Sequence, residues 1–113
     1  AFVDDQRGCP TFTADLAPVI RRLAVQRLPG TFHVTNQGET TWYGFVRDIL
    51  ELAGHDPHKV RPIATTELDP PRPAPRPASS VLDNAALRLG GWSLLPHYRE
   101  SLERLLVDLG ART

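Results

Sequence analysis

The sequence has no methionine, one cysteine and no long apolar run, and these shortages exclude several classes of protein. Cys9 cannot form an internal disulfide and belongs to no Cys-x-x-Cys pair, so we expect a reducing, cytoplasmic setting. The longest apolar stretches are a few residues, whereas about 20 are needed to cross a bilayer. Thirteen basic side chains balance thirteen acidic ones, so the net charge of zero predicts neither nucleic acid nor a membrane as partner.

The start of the chain also lacks what a complete secreted or cytosolic protein would show. There is neither an initiator methionine nor a basic and apolar leader with a cleavage site. Ala1–Asp4 is typical of the end of a strand that continues into a loop. We therefore expect residues 1–113 to be one domain cut from a larger protein. The exposed cut face is expected to favour self-association.

Catalytic and metal-binding motifs are missing as well. The sequence has no G-x-G-x-x-G, no P-loop and no Gly-x-Ser-x-Gly, so it predicts no dinucleotide cradle and no serine nucleophile. Cys9 lies between glycine and proline, and we interpret it as a small filler residue. The four histidines do not have the spacing of metal ligands, so we expect no metal site. We expect all four to be solvated loop residues: His33, His55, His58 and His97.

The first half of the chain predicts two amphipathic helices. Pro18 favours a start of the first helix near Asp15, because proline lacks the N–H that only the first turn can spare; a start at Thr13 would predict a kink. The second helix is predicted over residues 42–53, with Thr40 or Thr41 as its N-cap.

The second half predicts a short helix over residues 84–89, capped by Asp83, and a longer one over residues 96–109. Pro96 is expected in the first turn of the longer helix. Its apolar stripe is the strongest periodic signal in the chain: Tyr98, Leu102, Leu105, Leu106 and Leu109.

Strand patterns are short and few. Thr31–Thr35 is rich in β-branched and aromatic residues and predicts a strand. Val60–Thr65 is compatible with another short strand, and Pro62 means that it is either an edge strand or merely extended. Asp69–Pro77, DPPRPAPRP, is an extended connector; its P-x-x-P pattern also allows a ligand for an aromatic groove, which its place between globular elements disfavours. The fold class predicted is a helix-rich α/β unit with two or three short strands.

Three stretches together resemble one family. They are DDQRGCPTFTADLA (Asp4–Ala17), GTFHVTNQGETTWYGFVRDI (Gly30–Ile49) and RPASSVLDNAAL (Arg76–Leu87). Their order and spacing are similar to the C-terminal part of the dTDP-4-dehydrorhamnose reductases, which are extended short-chain dehydrogenases of the nucleotide-sugar branch. The resemblance implies a substrate-binding part whose Rossmann domain lies elsewhere in the same polypeptide.

The resemblance also implies an activity for the parent enzyme. That family reduces the 4-keto group of dTDP-4-dehydro-rhamnose with hydride from NADPH or NADH, which the N-terminal domain binds. The family's Tyr-x-x-x-Lys pair is absent, because Arg47 and Leu102 stand four residues after Tyr43 and Tyr98. We therefore expect the chain alone to bind no cofactor and to be inactive.

Candidate substrate-binding residues follow from the resemblance. Arg76 lies in the Arg-Pro motif and is implied to hold the pyrophosphate of a dTDP-sugar, for which an arginine fork is suited. Gln6, Pro10 and Thr11 belong to a loop implied to face the nucleotide, although Pro10 and Thr11 equally suit shaping a turn and capping the next helix. Arg72 lacks the motif that follows Arg76, and we expect it to contribute much less.

Other interpretations remain open at this stage. We expect Trp42 and Asn36 to pack and cap rather than to touch substrate, and Asp15 to be a first-turn acid favoured by the helix dipole. A different class of function is a non-catalytic regulatory or interaction subunit built on the same superfamily fold. An upstream Tyr-x-x-x-Lys and glycine-rich turn would distinguish the enzyme from that alternative.

Overall fold

The computed structural model describes residues 1–112 as an α/β unit of four helices and four two-residue strands. The strands are β1 (Phe2–Val3), β2 (Arg7–Gly8), β3 (Thr40–Thr41) and β4 (Pro62–Ile63). The helices are α1 (Thr13–Val25), α2 (Trp42–Leu52), α3 (Ala85–Leu89) and α4 (Tyr98–Asp108). The predicted helix-rich fold class is confirmed.

The strands form two separate pairs rather than one sheet. β1 and β4 are parallel, with Val3 opposite Ile63, and β2 and β3 are antiparallel, with Arg7 opposite Thr41. The predicted edge strand is present but shorter than expected. Each pair brings the first eight residues against a distant part of the chain.

The predicted strand at Thr31–Thr35 is wrong. Within the described residues this segment belongs to no strand. At its end the Thr35 N–H donates to the Asn84 side-chain oxygen at 3.0 Å, and Asn84 Nδ2 donates to the Thr35 hydroxyl at 3.1 Å. The Asn84 side chain therefore holds Thr35 in place.

The starts of α1 and α2 are set by hydrogen bonds to the residue that precedes each helix, and Pro18 does not delay the start of α1. α1 begins at Thr13 with Pro18 inside it, because the Phe12 carbonyl accepts from the Asp15 and Leu16 N–H groups at 3.1 and 3.0 Å. The Thr41 hydroxyl caps α2 as predicted, accepting from the Gly44 N–H at 3.0 Å.

The other two helices start later than predicted. α3 begins after Asn84, while Asp83 pairs with Arg88 at 3.0 Å rather than capping. α4 begins at Tyr98, so Pro96 precedes it, and His97 Nδ1 accepts from the Arg99 N–H at 3.2 Å.

The apolar core is small and is centred on α4. Its buried members are Val3, Leu87, Leu95, Tyr98, Leu102 and Leu106. The buried face of α4 is therefore narrower than the stripe that the sequence predicts, since Leu105 and Leu109 are 39% and 70% exposed. The Tyr98 hydroxyl donates to Asp48 of α2 at 2.5 Å, which joins these two helices. In residues 1–112, no helix is both long and apolar enough to cross a membrane.

A buried polar network joins α1 to α4 through Asn36, whose side chain is fully buried. Asn36 Oδ1 accepts from the Phe12 N–H at 2.8 Å, and Nδ2 donates to Asp15 at 2.9 Å and to the Pro96 carbonyl at 3.0 Å. The Ser101 hydroxyl also donates to the Asp15 carboxylate. The predicted capping role of Asn36 is therefore present, at the N-terminus of α1.

Asp15 is more than a first-turn acid. Burial by itself would raise the pKa of its carboxyl group, but hydrogen bonds from Ser101, Asn36 and Arg104, with the Arg104 charge, outweigh burial and lower that pKa. Arg104 lies 2.8 Å from the carboxylate, which is 10% exposed. A lowered folded-state pKa means that the charged form stabilises the fold.

Asp15→Asn should lower the free energy of unfolding by about 1–3 kcal/mol near neutral pH, because it removes charge-assisted hydrogen bonds. The difference in unfolding free energy between parent and variant should be largest above pH 3.8, the pKa of the carboxyl group in the unfolded chain. It should shrink as pH falls through the lower pKa of Asp15 in the folded chain. Urea unfolding of parent and variant, from neutral pH to about pH 3, measures it.

Asp108→Asn is the matched control, since that side chain is exposed at the end of α4. It should change the free energy by no more than about 0.5 kcal/mol. A difference for Asp15→Asn that is constant across the pH range would contradict a stabilising carboxylate.

Candidate functional site

A pocket of about 640 Å³ lies where several distant segments meet. Its lining comes from the loop that leads into α1, from the β3–α2 corner, from the proline-rich connector and from the stretch before α3. The lining residues used below are Gln6, Arg7, Pro10, Thr11, Trp42, Arg72 and Arg76.

The loop before α1 is anchored by Thr65. The Asp5 carboxylate accepts from the Thr65 hydroxyl at 2.5 Å and from its N–H at 2.9 Å, and these bonds lower the Asp5 pKa. Gln6 is buried, and its side-chain amide donates to the same hydroxyl at 3.0 Å. Thr65 therefore holds both Asp5 and Gln6, at the point where the chain begins to line the pocket.

The β3–α2 corner presents Trp42 to the pocket. The Thr41 hydroxyl donates to Asp4 at 2.6 Å while it caps α2, which fixes the first residue of the helix. A Cβ at Gly44 would lie 2.4 Å from the Thr40 hydroxyl oxygen, so the corner needs glycine there. Trp42 is 55% exposed, and the expectation that it packs into the fold is wrong.

The proline-rich connector is attached to the same wall at Arg7. The Arg7 N–H donates to the Ala78 carbonyl, and the Ser80 N–H donates to the Arg7 carbonyl, both at 2.8 Å. These two bonds bring Arg76, two residues before Ala78, to the rim of the pocket. Arg72, four residues earlier in the connector, lines the same pocket.

The charge of the pocket differs from that of the chain. Three arginines line it, Arg7, Arg72 and Arg76, and no carboxylate does within the described residues. Arg7 is ion-paired with Glu39. Among residues 1–112 no ion pair involves Arg72 or Arg76. A neutral chain thus concentrates positive charge at one concave surface, which suits an anion.

The four residues proposed from sequence come together in this pocket. Gln6, Pro10, Thr11 and Arg76 all line it, and their role in binding stays a prediction. The Thr11 hydroxyl donates to the Cys9 carbonyl at 3.0 Å, and α1 has Phe12 as its N-cap residue with no side-chain cap bond. Of the two sequence interpretations of Thr11, helix capping is therefore wrong and turn shaping is present.

Two lining residues that the sequence did not propose for the site are Arg72 and Trp42. The expectation that Arg72 contributes much less to binding than Arg76 stays a prediction. The pocket is formed by long-range contacts, which local patterns do not contain. The repeated Arg-Pro pair in DPPRPAPRP was the available signal for Arg72.

The described residues do not suit a metal or a dinucleotide. No cluster of three or more His, Cys, Asp or Glu side chains in residues 1–112 could hold a metal ion. A dinucleotide site needs a parallel strand leading through a glycine-rich turn into a helix. The one parallel pair between named strands in this part of the chain has two-residue strands, and Ile63 leads to a single 3₁₀ turn, Thr65–Glu67.

A helix-rich α/β unit with a cationic pocket and no dinucleotide cradle in its described part is a ligand-binding domain. The chain belongs to the RmlD substrate binding domain family, whose family model matches residues 1–110. The resemblance to dTDP-4-dehydrorhamnose reductases found in the sequence is confirmed.

Curated relatives agree with this assignment. A dTDP-4-dehydrorhamnose reductase of Streptomyces griseus is 45% identical over 97% of this chain and 37% of its own length. One from Mycobacterium tuberculosis is 39% identical over 93% of this chain and 34% of its own length. The chain thus spans about a third of the length of these relatives.

Solved structures share the fold. A dTDP-4-dehydrorhamnose reductase from Clostridium acetobutylicum superposes with a TM-score of 0.86 at 39% identity, over 96% of this chain and 38% of that one. The enzyme from Bacillus anthracis, solved in complex with NADP, gives 0.81 at 37% identity, over 95% of this chain and 36% of its own.

Proposed function

We propose that this chain is the nucleotide-sugar-binding part of an NAD(P)H-dependent dTDP-4-dehydrorhamnose reductase. The observation that carries the proposal is the pocket lined by three arginines and no carboxylate in the described part of a chain whose net charge is zero. The names of the relatives give the substrate class, a dTDP-sugar.

The cationic side of the pocket suits the diphosphate of such a ligand. Arginine presents parallel N–H donors that match phosphate oxygens, and charge-assisted bonds are about twice as strong as neutral ones. Arg76 is the first candidate, because the bonds from Arg7 to Ala78 and Ser80 fix the backbone beside it. Gln6, Pro10 and Thr11 border the same space.

The aromatic and apolar part of the lining suits a base. Phe12, Phe45 and Leu82 line the pocket together with Trp42, which is more than half exposed. A flat aromatic ring at the edge of a cationic pocket is suited to stack on a pyrimidine, an interaction of about 1–3 kcal/mol per base. Thymine and diphosphate would then occupy adjacent parts of one site.

The chemical step belongs to another part of the full-length protein in this proposal. The cofactor supplies hydride when it is bound, and a protein contributes binding and orientation of its partner. The residues described here do not suit a dinucleotide, so we assign them to holding and orienting the sugar nucleotide. The cofactor is NADPH or NADH, bound outside this chain.

Arg76→Ala should weaken binding of dTDP-rhamnose by roughly ten- to hundredfold, because it removes a charge-assisted contact of about 1.5–3 kcal/mol. Arg76→Lys should restore part of the affinity, since lysine keeps the charge but not the fork. Calorimetric titration of each variant measures this. Arg21→Ala, an exposed arginine on α1 outside the pocket, is the control. Parent-like binding by Arg76→Ala would make Arg76 only a loop residue.

The fluorescence of Trp42 should fall when dTDP binds, because a stacked base quenches the ring. Trp92 is the internal control, as its ring lies 3.8 Å from the Arg22 guanidinium and does not line the pocket. Quenching should persist in Trp92→Phe and disappear in Trp42→Phe. Quenching that persists in Trp42→Phe would remove Trp42 from the site.

The chain by itself should not oxidise NADPH in the presence of dTDP-4-dehydro-rhamnose. The described residues provide neither a hydride-donor site nor a Tyr-x-x-x-Lys pair. Loss of NADPH absorbance is the measurement, with a full-length reductase of the family as positive control. Turnover clearly above the rate without enzyme would contradict the division of labour proposed here.

A further inference from the structure

The connector that carries both pocket arginines is held at its two ends by one short segment. On the N-terminal side Thr65 is bound to the Asp5 carboxylate, and on the C-terminal side Ala78 and Ser80 are bound to the Arg7 backbone. Residues 68–77 therefore lie between two fixed points, and Arg72, Arg76 and Pro77 of this stretch line the pocket. Within residues 1–112, the stretch 69–77 makes no backbone hydrogen bond of its own.

Proline takes the place of those missing hydrogen bonds. Five of the nine residues in Asp69–Pro77 are proline, and each of the two arginines is followed directly by one. Proline fixes φ and narrows the unfolded ensemble, so the connector loses less entropy when it is ordered. The backbone at Arg72 and Arg76 is thereby restricted before any ligand arrives, which lowers the cost of binding.

The two arginines also share an unbalanced charge. Arg7 is neutralised by Glu39, whereas in the described part of the chain no carboxylate pairs with Arg72 or Arg76. Like charges held at one concave surface repel each other, and a ligand that carries two negative groups relieves that repulsion at both. A diphosphate has one such group for each arginine.

We propose that Arg72 and Arg76 together hold the two phosphates of the nucleoside diphosphate, which makes Arg72 a specificity-determining residue of this site. The proposal rests on the nucleotide-sugar function proposed above and reverses the sequence expectation for Arg72. It follows that the pocket distinguishes a diphosphate from a monophosphate, because a single phosphate engages one arginine and leaves the other without a partner.

The experiment titrates the chain with dTDP and with thymidine monophosphate. Arg72→Ala should weaken dTDP binding about tenfold and monophosphate binding much less, so that the preference for dTDP falls. Arg72→Lys should recover part of the loss, since it keeps the charge without the fork. In the double variant with Arg76→Ala, the preference should vanish. Arg21→Ala, outside the pocket, should leave both affinities unchanged.

The outcomes separate this inference from the proposed function. If Arg76→Ala weakens dTDP binding and Arg72→Ala does not, the inference is overturned and the nucleotide-sugar site stands. Equal losses of dTDP and monophosphate in Arg72→Ala would also overturn it, because the arginine would then act through general charge. If the parent chain binds neither nucleotide at millimolar concentration, the proposed function fails and this inference fails with it.

Discussion

The fold and the pocket both depend on the fully buried side chain of Asn36. It accepts from the Phe12 N–H and donates to Asp15 and the Pro96 carbonyl, so one amide joins the start of α1 to the loop before α4. A buried amide without these partners would cost about 1–3 kcal/mol. Phe12 also lines the pocket, and the hydrogen bond that starts α1 therefore fixes one wall of the site.

A second constraint is the pairing of residues 2–8 with three distant segments. β1 and β2 are only two residues each, yet they meet β4 and β3, and Arg7 also pairs with Ser79. Strand pairs of two residues are weak by themselves. Hydrogen bonds from Thr41 to the Asp4 side chain and from Thr65 to the Asp5 side chain reinforce them. The pocket is thus assembled around one segment. Glu39 pairs with Arg7, so within the described residues the unpaired positive charge of the lining is that of Arg72 and Arg76.

Local patterns predicted the elements better than their assembly. The start of α2 was predictable because a threonine cap precedes a helical repeat, and both signals are local. The Thr31–Thr35 prediction is wrong, and the contact that holds the end of this segment comes from Asn84, far along the chain, which no local pattern contains. The motifs predicted that Arg76 faces a cleft, whereas Arg72 and Trp42 joined it through contacts that no local window contains.

The composition of the connector explains how a loop can present two arginines to the pocket. A helix would turn residues four apart onto one face and would need every N–H, whereas an extended proline-rich chain needs none and spreads its side chains along the pocket. Two anchors and five prolines then give a loop the restriction that helices obtain from hydrogen bonds. Preorganised charge of this kind favours a ligand by lowering the cost of ordering as well as by attraction. A neutral domain can thereby present a cationic pocket without an overall positive charge.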